Sequence, residues 1–105
     1  MDSDSLLTIG GRQIERARIA EICRRFGLAE LAVFGSVVRG EESDESDVDL
    51  LYVARPDARL GFAINRLEDE LAELFGRPVD LVSRKAVHRL IRDHVEREAL
   101  TLYAA

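Results

Sequence analysis

At 105 residues, 47% hydrophobic and 33% charged, the chain has the size and composition of one globular domain, which excludes a disordered, fibrous or disulfide-stapled protein. Cys23 is the only cysteine, the opening Met1-Asp2-Ser3-Asp4-Ser5 is acidic where a signal peptide is basic, and no apolar run nears the roughly 18 residues of a membrane span; a soluble, cytoplasmic chain without a membrane partner is expected. The net charge of −5 is local: Glu41, Glu42, Asp44, Glu45, Asp47 and Asp49 put six acids and no base into nine residues, leaving 15 basic against 14 acidic elsewhere, the wrong sign for direct nucleic-acid binding and a first sign of metal.

No repeat or linker divides the sequence, so a single domain over 1–105 is expected, with a frayed end at about residues 1–10. A core of this size is shallow enough that a homodimer or hetero-oligomer is open to it. Between Arg12 and Phe26 the apolar positions Ile19, Ile22, Cys23 and Phe26 fall at helical spacing and Gly27 supplies a stop, which predicts a first helix. Residues 31–34 form a short apolar run ending in Gly35-Ser36, a buried strand entering a tight turn; residues 48–53, with Tyr52 and the β-branched valines, predict a second strand. Beyond the break at Arg55-Pro56-Asp57, a stripe of Leu60, Ile64, Leu67, Leu71, Leu74 and Phe75 predicts a second helix ending at Gly76. Pro78 opens a third strand over 79–82, and Ser83 can cap a last helix carrying Val87, Leu90, Ile91 and Val95. The end, from Leu100 to Tyr103, reads equally as helix or extended chain. The alternation predicts an α/β fold in which a short mixed sheet is covered by helices.

The chemistry gathers on the strands. Strand alternation puts Asp47 and Asp49 on one face, with Leu51 and Val53 continuing that face toward the core. Paired carboxylates repel unless they share a proton or a cation, and hard oxygen ligands favour Mg²⁺. Asp80, a charge inside an apolar strand, becomes the third carboxylate if its strand lies beside the second. Three acids around two Mg²⁺ ions suit in-line nucleotidyl transfer. Upstream, Gly35 lets the backbone approach a polyphosphate, Ser36 offers a hydroxyl and Arg39 a cation. There is no Walker Gly-Lys-Ser/Thr sequence and no EF-hand loop.

These residues carry a resemblance. Phe34-Gly35-Ser36-Val37-Val38-Arg39-Gly40 followed by Ser46-Asp47-Val48-Asp49-Leu50-Leu51 resembles the nucleotidyltransferase signature of the DNA polymerase beta superfamily. In a chain this short it is most similar to the minimal nucleotidyltransferases encoded beside HEPN-domain proteins, over about residues 12–103. The resemblance implies that Asp47, Asp49 and Asp80 hold Mg²⁺, that Asp80 also serves the attacking hydroxyl, and that Gly35 and Ser36 hold the triphosphate of ATP. It further implies AMP transfer to a tyrosine of a HEPN RNase toxin, with pyrophosphate released and the chain acting as antitoxin. Val37 departs from the pattern, standing where the family usually has arginine. A docking antitoxin without catalysis and a small-molecule nucleotidyltransferase are the alternative readings.

Other residues have plainer readings. Glu41, Glu42, Asp44 and Glu45 read as a hydrophilic loop, Cys23 as core, and Tyr52 and Tyr103 as packing residues. His88 and His94, six apart, do not share a helical face as a zinc pair would. Arg89 to His94 resembles the HEPN catalytic motif, but fourteen arginines make such matches easy.

Overall fold

The structure, a computed structural model, describes residues 6–9, 11–35, 47–87, 95 and 97–105. It opens on an antiparallel hairpin, β1 (Leu6–Ile9) against β2 (Arg12–Glu15), with Ile9 paired to Arg12. Two expectations are corrected here. Leu6–Ile9, expected to fray, is a paired strand, and Arg12–Glu15, expected as the first helical turn, is its partner. The physical reason is burial: Ile9 and Ile14 reach the main core, and Gly11, at φ +79°, takes the left-handed backbone that a tight turn into β2 uses.

Helix α1 (Arg16–Arg25) buries Ile19, Ile22 and Cys23, three and four residues apart as one face of a helix requires. It carries Arg24 and Arg25 in its last turn, where cations complement the helix dipole, and Gly27 follows at φ +72°. Strand β3 (Leu28–Phe34) leads to β4 (Val48–Ala54), its antiparallel neighbour. Helix α2 (Ala63–Phe75) buries Leu67, Leu71 and Phe75 and ends at Gly76, left-handed at φ +74°, whose N–H donates to the Ala72 carbonyl at 2.8 Å. It connects β4 to β5 (Val79–Ser83), and the two strands run parallel, as a helical crossover allows.

At Ser83 the predicted cap exists, its hydroxyl accepting from the Lys85 N–H at 3.3 Å. What it opens is a three-residue 3-10 turn, Arg84–Ala86. Of the predicted last helix, Leu90 and Ile91 lie outside the described residues, as do both histidines, while Val87 and Val95 are buried. The end of the chain is extended: β6 (Leu100–Ala104) pairs antiparallel with β3. The sheet order β5-β4-β3-β6 thus contains one parallel and two antiparallel pairings, the expected mixed sheet.

Most of the core lies on one face of this sheet, where Leu31, Val33, Val48, Leu50 and Leu102 meet Ile19 and Ile22 of α1 and Leu67, Leu71 and Phe75 of α2. Arg25 of α1 and Glu70 of α2 pair across the two helices; the hydrogen bond from Arg25 holds the Glu70 carboxyl below its ordinary range. The opposite face carries a smaller cluster of Ala32, Leu51, Val87 and Val95. This corrects the reading in which Leu51 and Val53 point to the core. The larger core is on the Val48 and Leu50 side, because both helices land there.

Cys23 is fully buried in that core. Burial disfavours the thiolate and pushes its pKa up to about 12. Native protein is expected to resist iodoacetamide at neutral pH and to take up one equivalent in denaturant; labelling of the native chain at the rate of free cysteine would contradict that burial.

Candidate active site

Three backbone segments meet at one end of the sheet: the end of β3, the start of β4 and the start of β5. Phe34, last in β3, pairs with Asp49 of β4, and Asp49 pairs in parallel register with Asp80 of β5. In-register residues on neighbouring strands about 4.8 Å apart project to the same side of a sheet, so Asp49 and Asp80 share a face. The register begins one residue earlier with Val48 opposite Val79, and the Val48 N–H donates to the Pro78 carbonyl at 2.9 Å. Asp47 directly precedes β4 and is exposed; Asp49 is half-buried and Asp80 exposed.

Gly35 follows Phe34 and is itself buried, with φ +83°, the left-handed region that favours glycine. A Cβ built there would overlap Asp49 Oδ2 and stand 3.1 Å from its Cγ and 3.3 Å from its Cβ. The glycine therefore touches the second carboxylate of the pair directly. Ser36 and Arg39, read from the sequence as phosphate ligands, lie outside the described residues, as do Glu41, Glu42, Asp44 and Glu45.

The structure thus brings Gly35, Asp49 and Asp80 together, with Asp47 two residues before Asp49. Among the described residues, no three of His, Cys, Asp and Glu gather closely enough to hold a metal ion. The carboxylates stand at this end of the sheet. Further along the same face, Ala32, Leu51, Val53, Arg84 and Glu30 line a hollow of about 80 Å³ that contains none of them. It is walled by the ion pair of Arg84 with Glu30 at 3.2 Å, a contact that sequence pattern could not reveal because 54 residues separate the partners. No helix among the described residues is long and apolar enough to cross a membrane.

This architecture, a short mixed sheet backed by two helices on one face, is that of a minimal nucleotidyltransferase. The nucleotidyltransferase domain model matches residues 16–102, and the chain belongs to that family. It is similar to the protein adenylyltransferase MntA of Thermococcus cleftensis, 40% identical over 80 residues that cover 76% of this chain and 80% of the relative. A solved structure assigned to the minimal nucleotidyltransferases is 38% identical, with a TM-score of 0.69 over 81% of this chain and 86% of its own. A chain in the complex of a tri-AMPylated HEPN toxin with its MNT antitoxin from Shewanella oneidensis shares the fold, with a TM-score of 0.60 and 22% identity over 86% of this chain and 70% of that one.

Proposed function

We propose that this nucleotidyltransferase moves AMP from ATP to a hydroxyl of a partner protein, a tyrosine of a cognate HEPN RNase toxin, and so serves as its antitoxin. The observation that carries this reading is the in-register pair of Asp49 and Asp80 beside the Gly35 turn, in a chain that belongs to a nucleotide-transferring family. Two features favour a macromolecular acceptor. Asp47 and Asp80 are exposed at a sheet end, which a protein surface can reach, and the similar MntA protein is named a protein adenylyltransferase.

The donor chemistry fits divalent cations: Asp49 and Asp80 share a face and, with Asp47 two residues away, offer only carboxylate oxygens, the hard ligands that Mg²⁺ takes, and like charges on adjacent strands gain from a shared cation that would draw the three closer than they stand here. Bound there, Mg²⁺ would screen the phosphates and favour the ionised acceptor oxygen. The rest falls to the chain. Asp47 and Asp49 hold the cation side of the site, and Ser36 and Arg39 receive the triphosphate. Asp80 takes the proton of the acceptor hydroxyl as that oxygen bonds to the α-phosphorus and the bond to the departing pyrophosphate breaks.

The test is intact mass of a HEPN partner incubated with this protein, ATP and Mg²⁺, alongside the Asp47→Asn/Asp49→Asn variant. Increments of one AMP that vanish with the variant are expected, and chelation of the metal should have the same effect. A partner that binds but keeps its mass would overturn the catalytic reading in favour of docking alone.

A further inference from the structure

We infer that Gly35 is a positioning residue for Asp49: the space its missing side chain leaves is where the Asp49 carboxylate sits, and the glycine thereby sets the direction in which that carboxylate points. This rests on the reading of Asp49 as a site residue and goes beyond it, because it reassigns what the glycine is for. Read from the sequence, Gly35 admits a polyphosphate to the backbone. In the structure the space a Cβ would fill belongs to another side chain of the same site, since Asp49 Oδ2 overlaps it and Cγ and Cβ stand 3.1 and 3.3 Å away.

Two constraints act on residue 35 and can be told apart. The left-handed backbone, φ +83°, strains any L-residue whatever its surroundings, on the order of 4–16 °C in thermal midpoint for a domain this size. The overlap with Asp49 is a separate matter of space. A Cβ at residue 35 would occupy the place of Asp49 Oδ2, so the carboxylate has to turn away from the notch. A carboxylate turned by one rotamer moves its oxygens by more than an ångström, and displacement on that scale costs about 10²-fold in rate. The expected signature is a fall in kcat rather than a rise in KM for ATP.

The experiment is a thermal-unfolding cycle on the full chain: wild type, Gly35→Ala, Asp49→Ala and the double variant. Asp49→Ala removes Cγ and both oxygens while keeping the Cβ, so the strain at residue 35 remains and the overlap does not. Gly35→Ala is expected to lower the midpoint clearly more in the wild-type background than in Asp49→Ala; an equal loss in both overturns the proposal. If Gly35→Ala does not fold alone, folding of the double variant supports the proposal and failure of both overturns it. A second readout uses the partner-modification assay: Gly35→Ala should lower kcat about 10²-fold with KM for ATP within about threefold. A raised KM at unchanged kcat would instead assign the glycine to the nucleotide and overturn the proposal. Because the unfolding cycle needs no activity, its outcome stands even if wild-type protein transfers no AMP, which would sink the proposed function and not the contact.

Discussion

Asp49→Asn is expected to reduce AMP transfer by on the order of 10³-fold, the loss of several kcal/mol of charge stabilisation at the reacting phosphate, while the thermal midpoint stays within about 3 °C of wild type. Asparagine has the shape of aspartate, so the notch against Gly35 remains filled. What it lacks is the charge. Asp49 lies in register beside Asp80, and removing one of two like charges from adjacent strand positions relieves repulsion. The variant should therefore be as stable as the parent and still bind its partner. The measurement is the rate of AMP incorporation by intact mass, paired with circular dichroism on the same preparation. Transfer at the parental rate would remove Asp49 from the site, and a collapse in stability would make the loss of activity uninformative.

The second large effect is on stability. Leu67→Ala is expected to cost about 3 kcal/mol, roughly 12 to 24 °C in thermal midpoint. Leu67 is wholly buried in the main cluster, on the face of α2 that meets β5 and the sheet. Truncation there removes transfer energy and leaves a cavity that two helices and a sheet cannot all close upon. Phe62, one residue before α2 and 93% exposed, provides the control: Phe62→Ala should change stability by no more than about 0.5 kcal/mol. Chemical denaturation of both variants checks the pair. Equal costs would mean that the assignment of the core to this face is wrong.

Much of this fold was legible in the sequence because its central elements obey simple periods. The stripe of Leu67, Leu71 and Phe75 marked α2 and Gly76 its end, and both hold. The apolar runs at 31–34, 48–53 and 79–82 marked β3, β4 and β5, each slightly short. The hairpin was missed although its signal is present: Gly10-Gly11 between two four-residue runs is a turn signature, but Leu6 to Ile9 and Arg12 to Glu15 are too brief to show alternation. The location of the larger core was missed for a different reason. In β4 both parities are apolar, Val48 and Leu50 on one side and Leu51 and Val53 on the other, so period alone cannot say which face the helices cover. The last strand was undecidable locally, since Leu100 to Ala104 is extended through its pairing with β3, some seventy residues earlier in the chain.

Of the site, the sequence leaves the company of Asp49 and Asp80 conditional on the third strand lying beside the second, and that pairing is in register. The contact of Gly35 with Asp49 could not be foreseen. It depends on where the end of β3 comes to lie beside β4, which is a matter of three-dimensional closure and not of pattern.

The hydrogen bond from Val48 to Pro78 gives the short turn after α2 a metrical role. A strand has two sides and a repeat of two residues, so the segment from Gly76 to Pro78 works as a gauge block: its length decides whether Asp80 arrives level with Asp49 or on the reverse of the sheet. Val79 and Leu81 pack against the main core while Asp80 lies on the other face, so a one-residue slip would turn the acid into that apolar cluster, where an unpaired charge is costly. The burial that holds β5 in place thus also keeps the two acids level, and a change in the length of that turn would have to be absorbed outside the strand.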